Sequence, residues 1–227
     1  LLSEYFGVQL RYGEPRSEGE MAVYDPERGF THEPPAPRRP AVAIFMYAGM
    51  HFEQCLPVAL RLREELRKLG VEAVLITGGV AESLYRQLEA LRRYTTRGGR
   101  PLVDAVVNLQ WFLINGGPYG GPVEPTRELF KSAGYLLFNG LIAYMRRVSD
   151  WRRDPRGLSP VEVLTGVALP EVDGAIEPII SAGLDDSEYT DILVIEDRVE
   201  RKARRIARWL ELRCKPPSQR RVAIIIY

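Results

Sequence analysis

Ala41-Val-Ala-Ile-Phe-Met-Tyr47 decides how this chain folds. The run is apolar without interruption, so a strand built from it needs cover on both faces. A strand with one wet face alternates polar and apolar residues; a strand buried twice does not, and such strands belong to parallel sheets flanked by helices. Working outward, residues 53–69 place Leu56, Ala59, Leu62, Leu66 and Leu69 at helical spacing, and Gly70 supplies a stop. Val71–Thr77 reads as a second strand ended by Gly78-Gly79, and 81–94 as a second helix with Leu84, Leu88 and Leu91 inward. Val103–Leu109 is a third strand, Val123–Ser132 a short third helix, and Tyr135–Asn139 a fourth strand ended by Gly140. A further helix, capped by Ser159 or Asp154 with Pro160 at its first position, runs to about Val167. Residues 196–213 form the last, with Val199, Ala203, Ile206 and Leu210 on one stripe and arginines opposite. Strand–helix repeats of this kind predict an α/β fold, a mostly parallel sheet with helices on both faces joined by right-handed crossovers.

That unit spans 41–213. Residues 1–40 are rich in Pro, Gly and charge, and Pro34-Pro-Ala-Pro-Arg-Arg-Pro40 makes a stiff connector. They read as an irregular N-terminal arm or the end of a preceding domain. Residues 214–227 read as a linker leading into a buried strand, Arg221-Val-Ala-Ile-Ile-Ile-Tyr227, either the first strand of a following domain or the last of the same sheet. The chain is therefore expected to be a piece of a longer polypeptide.

Composition narrows the function. The 227 residues carry 31 basic and 30 acidic side chains, a formal net charge of +1, which supports no nucleic-acid partner. The longest apolar run, Ala41–Met50, is about half of a membrane span. Cys55 and Cys214 fit neither a disulfide framework nor a zinc cluster, so a cytoplasmic protein with reduced thiols is expected. No Gly-x-x-x-x-Gly-Lys-Ser/Thr loop, Gly-x-Ser-x-Gly elbow, Cys-x-x-Cys or Gly-x-Gly-x-x-Gly after strand one is present.

In an open parallel sheet, ligands bind beyond the carboxyl ends of the strands. The loop after strand three, Gln110-Trp-Phe-Leu-Ile-Asn-Gly-Gly-Pro-Tyr-Gly-Gly-Pro122, combines four glycines with Trp111, Phe112 and Tyr119. Gly116 and Gly117 permit tight turns, and the aromatic faces suit a large planar ligand, unless they pack into the core. His51, just past strand one, is a metal ligand or proton carrier, or else caps the following helix or contacts solvent. Glu171, Asp173 and Glu177 lie close together between apolar flanks. Hard carboxylate oxygens suit a divalent cation; the other reading has them capping turns at Pro170, Gly174 and Pro178 or pairing with arginines.

The stretch around those acids resembles one family. Gly157-Leu-Ser-Pro160, Val167-Ala-Leu-Pro-Glu-Val-Asp-Gly174, Glu177-Pro-Ile179 and Ala182-Gly183 are similar to a block in the large subunit of ATP-dependent tetrapyrrole metal chelatases, which insert cobalt or magnesium. Asp104-Ala-Val-Val-Asn108 with Gly116-Gly-Pro118, the helix from Asp197 through Trp209, and Val23-Tyr-Asp-Pro26 agree more loosely. The resemblance implies a tetrapyrrole substrate, cobalt or magnesium as the substrate ion, and ligase chemistry forming nitrogen–metal bonds. It also implies ATP used only through AAA+ partner subunits, and contact with the remainder of the same polypeptide. The family's His-Gly-x-x-Glu-x-x-Pro-Gly-Lys block has no counterpart here, so no catalytic residue is assigned, and where the family often has Arg-Ser-His this chain has Ala48-Gly-Met-His51. The alternative is a non-catalytic α/β ligand-binding or scaffold module, because fold does not dictate function.

Overall fold

The computed structural model describes residues 21–78, 86–187 and 191–226. The apolar run becomes β3 (Ala41–Met46), fully buried along its length. It follows a hairpin of β1 (Ala22–Asp25) and β2 (Gly29–Thr31) and leads into helix α1 (Phe52–Lys68) and β4 (Glu72–Thr77). Helix α2 (Gln87–Thr95), a two-residue ribbon of β5 (Thr96–Arg97) and β6 (Arg100–Pro101), and β7 (Ala105–Asn108) come next. Helix α3 (Glu124–Ala133) then leads to β8 (Leu136–Asn139).

The central sheet has the order β2-β1-β4-β3-β7-β8. Strands β4, β3, β7 and β8 run parallel, in a register that sets Ile44 beside Leu75 and Val107. The expected double burial has a direct cause. Val42, Ile44 and Met46 face Val58, Leu62 and Leu66 of α1, while Ala43 and Phe45 face Leu88, Leu91 and Tyr94 of α2 and Phe130 of α3. Helix α7 (Glu196–Cys214) lies beside α1 and adds Val199, Ala203, Ile206 and Leu210 to the first face.

The four expected strands and the helices at 53–69, 123–132, 159–167 and 196–213 are present, with ends shifted by a few residues. Residues 81–85 of the expected second helix, Gly79, residues 1–20 and Tyr227 lie outside the described residues. Two features were not anticipated. Within the expected irregular arm, residues 22–31 form the β1–β2 hairpin, and β1 pairs antiparallel with β4, Ala22 opposite Thr77. Asp25 closes the turn by accepting from the Glu27 and Arg28 amides at 2.9 and 3.1 Å, and Gly29 takes a φ of 79°. A second sheet of order β11-β10-β9 is built from β9 (Ile142–Arg147), which runs directly into the short helix α4 (Val148–Arg153), and from β10 (Ala182–Leu184) and β11 (Ile192–Val194).

Of the two readings of 221–227, the last strand of the same sheet is not formed: residues 221–226 pair with no described strand, and Val222, Ile224, Ile225 and Ile226 are 83–90% exposed. Their apolar pattern records what the side chains would bury, and no described strand lies beside them to bury it.

Candidate functional site

Strand order locates the site. From β3 the chain moves to β4 on one side and then to β7 on the other, so the direction of winding reverses between β3 and β7. Crevices open at the carboxyl ends of strands where such a reversal occurs. Here the two flanking loops are 47–51 and 109–122.

Polar side chains tie these loops together. The Met46 carbonyl accepts from the Gly78 amide at 3.0 Å and from Gln110 Nε2 at 2.8 Å. The Tyr47 hydroxyl accepts from the Trp111 amide at 2.9 Å and donates to the Trp111 carbonyl at 3.3 Å. The Tyr144 hydroxyl donates to the Leu109 carbonyl at 2.9 Å, so the Cys55 thiol, 3.0 Å away, is the donor to the Tyr144 oxygen. Burial pushes that thiol up to about 11, which keeps it protonated for this role. Trp111 is buried; its Nε1 donates to the Ile142 carbonyl at 2.7 Å and its ring meets Tyr144 edge-on at 5.6 Å. His51 stands beside Tyr47 and Tyr144, at 5.4 and 6.0 Å between rings, with Nδ1 2.8 Å from Gln54 Oε1. Among the described residues no three His, Cys, Asp or Glu side chains converge on a metal position.

The glycine-rich loop folds back on itself. Gly116, at φ 93°, could not carry a side chain, since a Cβ would lie 2.5 Å from the Gly120 carbonyl oxygen. Gly117 donates to the Leu113 carbonyl at 3.1 Å. Phe112 sits at φ 67° and is half-buried, while Tyr119 is 83% exposed at the tip.

A kinked helical run closes one side: α5 (Pro160–Val163), a π turn at Leu164–Ala168, and α6 (Leu169–Val172). Ser159 and Glu162 make a capping box at its start. Pro170 explains the kink. Lacking an N–H, it cannot satisfy the Gly166 carbonyl four residues back, and the Leu169 amide reaches past Thr165 to the Leu164 carbonyl. Two carbonyls are thereby freed, as π turns allow. Thr165 accepts from the Phe112 amide at 2.9 Å, and Gly166 accepts from Asn139 Nδ2 at 2.7 Å.

The three candidate acids part company here. Asp173, 3% exposed, accepts from the Ile114 amide at 2.7 Å through Oδ2, while its buried Oδ1 has no partner among the described residues. Burial raises its carboxyl to about 6; the Ile114 bond and the Arg127 guanidinium oppose that rise. Glu171 is exposed on α6. Glu177, at φ 57°, is turned toward α7, where Arg205 grips its carboxylate with both Nε and Nη2, and Trp209 Nε1 donates at 2.9 Å. These bonds hold it below the usual carboxylate range. The structure thus brings Trp111, Phe112, Gly116, Gly117 and Asp173 together on one loop system. Tyr119 lies at that loop's rim, His51 joins the Tyr47–Tyr144–Trp111 rings, and Glu171 and Glu177 face elsewhere.

Tyr47, Tyr144, Asn139 and Lys202 were missed as site residues. Lys202 had a signal, since it interrupts the apolar stripe of α7 between Val199 and Ala203. It is 1% exposed and donates to the Asn139 and Glu177 carbonyls, and burial lowers its ammonium to about 7.

With this geometry in place, comparison with known proteins is decisive. The family model for CobN/magnesium chelatase matches residues 1–227. The chain belongs to the CobN/magnesium chelatase family. An uncharacterised protein of Methanocaldococcus jannaschii is 31% identical over 148 residues, 61% of this chain and 12% of that protein. The chloroplastic magnesium-chelatase subunit ChlH of Oryza sativa is 32% identical over 129 residues, 57% of this chain and 9% of the subunit. The structure of the catalytic subunit of cobaltochelatase from Mycobacterium tuberculosis superposes with a TM-score of 0.60 at 20% identity, covering 96% of this chain and 18% of that one. That likeness shows the shared α/β fold. The chain spans about a tenth of the length of the curated relatives it matches. No described helix of this CobN/magnesium chelatase member is long and apolar enough to cross a membrane.

Proposed function

We propose that this chain is part of the tetrapyrrole-binding large subunit of a cobalt or magnesium chelatase, a cytoplasmic ligase. Its share is one wall of the cleft at the carboxyl ends of β3 and β7, completed by the remainder of the polypeptide. Energy reaches that cleft from ATP through AAA+ partner subunits. Phe112 and Tyr119 offer flat apolar faces to the macrocycle, and the glycine turns let the backbone approach it closely.

The observation that carries this reading is the unpartnered oxygen of Asp173 beneath the glycine-rich loop. When a divalent ion enters a free-base macrocycle, the ring N–H protons leave, two from a porphyrin and one from a corrin. A carboxylate lifted to about 6 by burial is ionised at neutral pH yet basic enough to accept a proton. Asp173 is therefore assigned to one of those protons, or to an N–H hydrogen bond before it departs.

The test uses the full-length subunit with its partner subunits. A free-base porphyrin and a corrin precursor are titrated by fluorescence quenching, and metal insertion is followed by absorbance. Asp173→Asn should leave binding within a few-fold and slow insertion by about tenfold or more. Tyr119→Ala should weaken binding. Unchanged binding and insertion in both variants would reject the assignment.

A further inference from the structure

The opposite end of the sheet holds a groove of about 860 Å³ that the proposed function does not use. It runs between the amino ends of β3, β4 and β7 and the carboxyl-terminal half of α7. Its apolar floor is Leu69, Val71, Ala207 and Leu210. The volume is within the roughly 300–1,000 Å³ of binding clefts.

The rim is basic. Its two acids are already engaged: Asp104 pairs with Arg39 at 2.6 Å, and Glu211 pairs with Lys215 at 2.6 Å. Arg213 donates to the Asp104 carbonyl at 2.8 Å. Arg204 and Arg208 remain, four residues apart on α7 and so one above the other on the same face. Among the described residues, Arg204 reaches only Glu200, at 3.5 Å, and Arg208, which helps Lys215 to lower the Glu211 carboxyl, makes no hydrogen bond or close ion pair of its own. The groove thus pairs an apolar floor with a surplus of guanidinium groups that fork toward carboxylates. The chain's own exposed segment 222–226 is a poor occupant, because it follows Arg220 and Arg221 and carries no acid.

We propose that this groove docks an acidic amphipathic helix of another protein, with its apolar stripe on Leu69 and Ala207 and its carboxylates on Arg204 and Arg208. Lysine-rich segments are repelled, and purely acidic ones lack the apolar contact.

The test uses the full natural chain and a labelled helical peptide of about 14 residues with leucines at helical spacing flanked by glutamates. The expected results are saturable anisotropy, slowed hydrogen exchange over residues 204–214, and slowed alkylation of the exposed Cys214 at the groove, with buried Cys55 silent. The double variant Arg204→Glu/Arg208→Glu should bind at least about tenfold more weakly, while Arg201→Glu, on the same helix outside the groove, should not. A lysine counterpart and a leucine-free polyglutamate should bind at least about tenfold more weakly than the probe peptide. Three outcomes overturn the proposal: no saturable binding of the acidic peptide, equal loss with Arg201→Glu, or a carboxylated porphyrin protecting Cys214 where the peptide does not.

Discussion

Two aspartates mark the two ends of the central sheet and are treated in opposite ways. At the amino end, Asp104 accepts from the Ala41 amide at 3.0 Å and from Arg39 through both carboxylate oxygens, so every oxygen has a partner. At the carboxyl end, Asp173 is more deeply buried and has, among the described residues, one bond for two oxygens. A buried carboxylate without full hydrogen bonding destabilises a fold. The amino end is built for stability, and the carboxyl end carries a defect that stability alone would remove. Such defects collect where binding or chemistry needs them.

Removing the satisfied aspartate should have the largest effect. Asp104→Ala strands the Ala41 amide and frees Arg39, and should lower stability by about 3 kcal/mol in urea unfolding. A loss below about 1 kcal/mol would dissolve the contrast between the ends.

Lys202 should produce a pH effect of about 2 kcal/mol. Its ammonium is lowered in the folded state from 10.5 to about 7. Between these values the unfolded chain binds the extra proton, so stability rises with pH. Unfolding measured from pH 7 to pH 9 should show that rise in the natural chain and a flattened profile in Lys202→Met.

Asp173→Asn should raise stability by about 2 kcal/mol at neutral pH. The sign follows from a folded value lifted from 3.8 to about 6. The natural residue loses stability as pH rises through that window, and the amide avoids the loss. The gain should therefore shrink toward zero as pH approaches 4, and a variant less stable than the natural chain at neutral pH would show that Oδ1 is satisfied after all.

Gly166→Ala should have the smallest effect, about 1 kcal/mol, with a shift in tryptophan emission. The new Cβ would stand 2.7 Å from Leu141 Cδ1, the far end of a side chain that can turn aside, and 3.3 Å from Trp111 Nε1, which is held by the Ile142 carbonyl.

The sequence made the central sheet legible because its signal is local. Ala41–Met46 needs two covers whatever surrounds it, and α1 and α7 declare their buried stripes residue by residue. The β9–β11 sheet stayed hidden because two of its strands are three residues long, too short for a period to emerge. The hairpin at 22–31 was hidden by proline- and glycine-rich neighbours, although Asp25-Pro-Glu-Arg-Gly29 is a turn by composition. In the site, the loop 110–122 was found from glycines and rings. The roles of Asp173 and Glu177 were not separable, because only the tertiary structure sends one to Ile114 and the other to Arg205. Strand order, which puts the winding reversal between β3 and β7, is a long-range property that no window of residues contains.

The ring of Pro170 has a mechanical consequence. Two adjacent carbonyls, Thr165 and Gly166, are released and claimed by two different neighbours, the Phe112 amide and the Asn139 side chain. A single such tether would leave a pivot about which the segment could swing. Two tethers, one on the loop after β7 and one on the tip of β8, block rotation as well as sliding, so one imino acid bolts the segment at two places at once.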